Sequence, residues 1–251
     1  MAIWEGRMTS AVLAGTPRTP WREDLLGAAR TLSVLTVVGG ACGAFVVGVV
    51  GRLAMFLLAA LNPDATGVTS DDGFVMGQVT LSGSAQLVLA GLQLGVIGAG
   101  FYVVVRGLII GPSWFRLLTV SLGPAVVVGA IVVHTDGVDF RLLEPLWLAA
   151  GLFIALPAVY VALLHVLGER ALERWRPTSW LMAIGLAPWV LLLPVTLALA
   201  AGFTALRSLR GYDTGRALLL SPWPARFLRA GLAVLCLAAL IDLRNDLVAL
   251  S

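Results

Sequence analysis

Two histidines are all that 251 residues offer for general base chemistry near neutral pH. His134 opens "HTDGVD", with Asp136 and Asp139 close behind it, and His165 precedes "GERALERW". The other groups able to act on a ligand are carboxylates. Asp64, Asp71 and Asp72 follow one apolar run, and Asp136, Asp139 and Glu144 follow another. Oxygen clusters of this kind suit hard divalent cations, but the spacing matches no EF-hand loop, so the identity of any metal stays unknown. Neither HExxH nor GxSxG occurs. Cys42 and Cys236 both fall within apolar runs and lack metal-ligand spacing, which reads as two buried thiols. No cofactor is indicated.

Arg52 raises a different question. It stands in "VVGRLAMF", inside an apolar run from Leu32 to Leu61. A charge in hydrocarbon costs up to about 2.5–3.5 kcal/mol on the insertion scale, so it needs a partner or a route to the interface. The expectation is that Arg52 faces the bundle interior and pairs with one of Asp64, Asp71, Asp72, Asp136, Asp139 or Glu144. An anion or substrate contact is the functional alternative.

These residues must be positioned by membrane helices. Apolar residues make up 59% of the chain and charged residues 12%, with mean hydropathy +0.95. Soluble domains hold about 45–50% and about 25%. The fold class expected is all-α, a polytopic transmembrane bundle. Six spans are read at 31–61, 85–105, 116–133, 145–167, 179–206 and 225–242, in a single membrane domain over 31–251. Residues 1–30 read as a cytoplasmic tail, because charges such as Arg7, Arg18, Glu23 and Arg30 precede any long apolar run. Loop one, "NPDATGVTSDDGFVMGQVTLSGS", carries an Asp72-Gly73 turn signal, and Val75, Val79 and Leu81 suit extended backbone. A short outer β-hairpin is expected there.

All seventeen basic residues are arginine. Placing the N-terminus inside puts Arg7, Arg18, Arg22, Arg30, Arg106, Arg116, Arg170, Arg174, Arg176 and Arg244 on the inner side and the acidic loops, with Arg141 alone, outside, as the positive-inside rule requires. Arg207, Arg210, Arg216, Arg226 and Arg229 then break the rule. Six true spans with a basic outer connection is the preferred reading; a re-entrant 179–206, helped by Pro188 and Pro194, is the alternative. No basic stripe suggests nucleic acid.

Small residues recur every fourth position at Gly40, Ala44 and Gly48 and at Gly91, Gly95 and Ala99, a spacing that lets helix backbones approach closely. Gln93 is expected to donate across that contact. A pore or substrate groove along the stripe is the alternative.

The stretches "GRLAMFLLAALNP", "TSDDGFVMGQVTLSGSAQLVLAG" and "YVVVRGLIIGP", over residues 45–112, resemble small multi-pass membrane proteins of actinobacteria without assigned function. The resemblance implies an actinobacterial cell membrane and transfers no substrate or catalytic residue. Three functional expectations follow. The first is a non-enzymatic interaction or structural component of the cytoplasmic membrane, in contact with the lipid bilayer and with a membrane protein partner or further copies of itself. The second is a small transporter or channel subunit. The third is a membrane enzyme with an outer carboxylate–metal site.

Overall fold

In a computed structural model, which describes residues 21–70, 73–135, 139–211 and 222–250, the first helix begins at Trp21 and continues without a break in direction of chain to Leu61. Its first turn carries Glu23 and Asp24, the charge sign that a helix N-terminus favours. The run has three parts: α1 (Trp21–Gly43), a π-helical stretch (Ala44–Val50) and α2 (Gly51–Leu61). Then come α3 (Leu81–Val105), α4 (Ser113–Val132), a short α5 (Asp139–Leu142), α6 (Leu146–Arg174), α7 (Ser179–Leu191), α8 (Leu193–Gly211) and α9 (Trp223–Leu250). The helix ends follow local chemistry. Thr80 caps α3 by accepting from the Gly83 N–H at 3.1 Å. α6 stops at Arg174, before the Arg176-Pro177 pair whose proline disfavours helical backbone.

Among the described residues four segments are long and apolar enough to cross a membrane: Trp21–Leu61, Leu81–Leu108, Ser113–Val132 and Leu146–Arg174. A fifth is reached if Ser179–Leu191 and Thr196–Gly202, bent by 106° to each other, are counted as one span. The chain is therefore a multi-pass membrane protein with four to five spans, not the six expected. The expected spans fail in the C-terminal third. There Pro188 and Pro194 flank the sharp bend, and the apolar stretch of α9 between Arg229 and Asp242 holds twelve residues, about 18 Å of helix against a ~30 Å core.

The expected β-hairpin is also corrected. Among the described residues loop one holds no strand, only one antiparallel bridge between Thr69 and Val75. Gly67, Gly73 and Gly77 all take positive φ, turning the backbone after every few residues and leaving no room for extended arms. Leu81 starts α3 rather than extending a strand. Asp71 and Asp72 lie outside the described residues.

α1 is the hub, packed against α3, α6 and α7. Its weld to α3 is made by glycines. A Cβ added to Gly43 would lie 2.7 Å from Cα of Gly95, and one at Gly91 would lie 2.5 Å from the Gly43 oxygen. One at Gly39 would lie 2.7 Å from the Gly95 oxygen. The small-residue contact exists, but on α1 it passes through Gly39, Gly43 and Gly48. Gly40 has ordinary clearance, 3.5 Å to Val96, and Ala44 is half-buried. The π-helical stretch explains the shift. Gly43 and Gly48 are five residues apart and on a regular helix would point about 140° from each other. The wider turn brings both onto α3, where Gly48 meets Val88. Tyr160 of α6 closes the junction, donating to the Gly95 carbonyl at 2.7 Å.

α7 is pinned beside them. Gly185 lies against Ser33, and Trp189 Nε1 donates to Thr36 Oγ1 at 2.8 Å while its ring fills the space at Gly100. α9 runs parallel to α4. Arg229 Nε donates to the Leu108 carbonyl at 2.7 Å, Cys236 Sγ faces Gly123, and Leu243 faces Gly129. The N-terminal end of α9 thus sits at the same end of the bundle as Arg106.

Candidate functional site

Two polar clusters occupy opposite ends of the bundle. At the end where α3 finishes and α6 finishes, four side chains meet. Tyr102 and Arg106 are one turn apart on α3, and His165 and Glu169 are one turn apart on α6, so each pair shares a helix face. Tyr102 is almost wholly buried, at 2% exposure. Its hydroxyl donates to Glu169 Oε1 at 2.8 Å and lies 2.6 Å from His165 Nδ1. Arg106 Nη2 donates to Glu169 Oε2 at 2.9 Å, and both of these side chains are about one-third exposed, 31% and 30%. A hydroxyl has one proton. With that proton given to Glu169, the tyrosine oxygen accepts from His165 Nδ1–H, which leaves Nε2 with its lone pair. The arrangement fixes a histidine tautomer and ties two spans through one carboxylate.

Arginines elsewhere do similar work on backbone. Arg30 Nη2 donates to the carbonyl of Trp175, at the C-terminal end of α6, at 2.5 Å, and Arg229 donates to Leu108, just past α3. Cations at helix C-termini meet carbonyls that have no intrahelical donor.

The opposite end holds Arg52. Its Nη2 donates to the Gln78 carbonyl at 3.0 Å, and its guanidinium lies 5.9 Å from the ring centre of Phe74. Its Nε is buried, with no hydrogen-bond partner among the described residues. The shallow cleft around it, of about 60 Å³ and open to one side, is bounded by Met55, Phe56, Phe74, Met76, Asp139 and Phe153. Arg52 thus links the first span to loop one through a backbone carbonyl and a ring. Of the six carboxylates expected around it, Asp139 lines the same cleft. Asp64 is exposed on a 3-10 turn, and Glu144 is exposed, with its backbone held by Asn62. Asp71, Asp72 and Asp136 lie outside the described residues. Asn62 is buried and clamps two loops, donating to the carbonyls of Leu58 and Glu144 at 2.9 Å and accepting from the Glu144 N–H at 2.8 Å.

Among the described residues no three His, Cys, Asp or Glu side chains converge as metal ligands. Cys42 and Cys236 are free thiols. His134 has a buried Nδ1 with no partner among the described residues and stands at the other end of the bundle from His165. Gln93 points away from the α1–α3 weld that it was expected to bridge, and is exposed on the outside of α3. Comparison with family models, curated proteins and solved structures finds no match to this chain.

Proposed function

We propose that this membrane protein is a non-enzymatic interaction or structural component of the cytoplasmic membrane, with its N-terminus on the cytoplasmic side. The observation that carries this reading is the outward position of Gln93 at mid-span. A primary amide facing hydrocarbon lacks the hydrogen bonds that a protein neighbour supplies. The closed α1–α3 weld supports the same reading, because backbones this close leave no groove between the first two spans. Photo-crosslinking tests it. Replacing Gln93 with p-benzoylphenylalanine and irradiating native membranes should give a protein adduct. Adducts with lipid alone would overturn the reading. They would leave the small transporter or channel subunit, which the 106° bend after α7 supports, since broken helices carry the substrate sites of many transporters.

The orientation rests on the arginines. The contact between Arg229 and Leu108 puts Arg226 and Arg229 at the end of the bundle that also holds Arg106, Arg116 and Arg174, against Arg52, Arg141 and Arg244 at the other, and this excess supports a cytoplasmic position for that end under the positive-inside rule. On this reading residues 179–211 enter the membrane and turn back. Single cysteines at Arg174 and Arg226 should share one labelling behaviour towards an impermeant thiol reagent in intact cells, unreactive, while one at Asp64 reacts. Reaction at Arg226 together with Asp64 would restore a full crossing by 179–211.

A further inference from the structure

We infer that the exposed face of α3 is a homodimer interface, in which Gln93 hydrogen-bonds to Gln93 of a second copy. The inference rests on the interaction reading above and names the partner. Gln86, Leu89, Gln93, Ile97, Phe101 and Val104 follow each other at spacings of three or four residues and are all exposed. At 3.6 residues per turn they form one stripe along the helix, with the two glutamines seven residues apart and within about 20° of each other. No described element packs on this stripe, because α3 turns its opposite side, Gly91, Gly95 and Ala99, to α1. Gln93 makes no hydrogen bond among the described residues.

Depth selects the partner. Gln93 is twelve residues beyond Leu81 in a span ending at Leu108, about 18 Å along the helix and therefore well inside a ~30 Å core. A neighbour must present both a donor and an acceptor at that level. Two copies inserted with the same topology are related by a two-fold axis along the membrane normal, so every residue on the stripe meets its counterpart at equal depth. The primary amide carries N–H donors and a carbonyl acceptor on one side chain, so two of them can satisfy each other. Leu89, Ile97 and Phe101 would then pack above and below the polar pair.

Oxidative crosslinking tests this. In a chain carrying Cys42→Ala and Cys236→Ala, Gln93→Cys should form a disulfide-linked species of twice the 26.3 kDa chain mass in native membranes. Leu122→Cys, exposed on α4, should not. Gln93→Leu should weaken self-association of the wild-type chain about three- to tenfold by energy transfer in liposomes, with the melting of the monomer unchanged. Equal crosslinking at Leu122 would mark random collision and overturn the inference. Adducts of Gln93→Cys with a different chain and none with itself would refute the homodimer while leaving the interaction reading standing. Absence of any protein adduct in membranes would remove both.

Discussion

Gly43→Ala is expected to destabilise the protein by about 1–3 kcal/mol or more, lowering its detergent-solubilised melting temperature by several degrees. The added methyl has nowhere to go. It would meet backbone atoms of Gly95, 2.7 Å from Cα and 2.9 Å from N, and backbone cannot rotate aside as a flexible side chain can. The helices must separate, and with them the contact of Gly39 with Gly95 and the bond from Tyr160 to the Gly95 carbonyl. Gly95→Leu makes the same clash with a far larger group, and its expected result is failure to assemble. Gly151→Ala supplies the control. It too is helical, but no atom lies within 4 Å of the added methyl, so the gain of about 1 kcal/mol in helix propensity goes unopposed. Equal melting of the Gly43 and Gly151 variants would show that α1 and α3 separate at no cost.

Glu169→Ala is expected to cost about 1–3 kcal/mol, mainly through what it leaves behind. The ion pair with Arg106 is about one-third exposed on each side and by itself contributes about 0–1 kcal/mol. Tyr102 is different, because its hydroxyl is held in a buried position and would lose its acceptor. Tyr102→Phe removes the buried hydroxyl itself, leaving Glu169 with Arg106 and costing His165 Nδ1 its partner, and should cost less, about 0.5–1.5 kcal/mol. Combining the two should cost clearly less than their sum, since the second change removes a bond already lost. Strict additivity in melting experiments would show that the two side chains do not act as a unit.

Much of this fold was legible because hydrocarbon imposes a simple rule on long helices. The first four spans could be placed from apolar length alone, and the close approach of the first two from glycine spacing. The π-helical stretch could not be foreseen: it moves the contact from Gly40 and Ala44 to Gly39 and Gly43, and regular helical phase gives no hint of an extra residue in a turn. The outward position of Gln93, by contrast, is written in α3 itself: it stands two residues from both Gly91 and Gly95, about 200° of helix, and so on the opposite face. The C-terminal third misled because α9 is too short in its apolar part to announce its direction. The contacts of Arg229, Cys236 and Leu243 show that it runs alongside α4. The Tyr102–His165–Glu169–Arg106 cluster had a signal that was overlooked. Two polar pairs, each at four-residue spacing, stand near the same ends of two spans, and that is how a cluster between neighbouring helices is written in sequence.

The π-helical stretch also divides the first membrane segment into two parts with separate obligations. Before it, Gly39 and Gly43 answer to the geometry of α3. After it, Arg52 answers to the loop that carries Gln78 and Phe74. A continuous α-helix would lock these two demands together, because any change of phase at one end is transmitted rigidly to the other. The extra residue in the turn decouples them. It works as a phase adapter, so that the cap formed by loop one and the glycine weld each keep their own register.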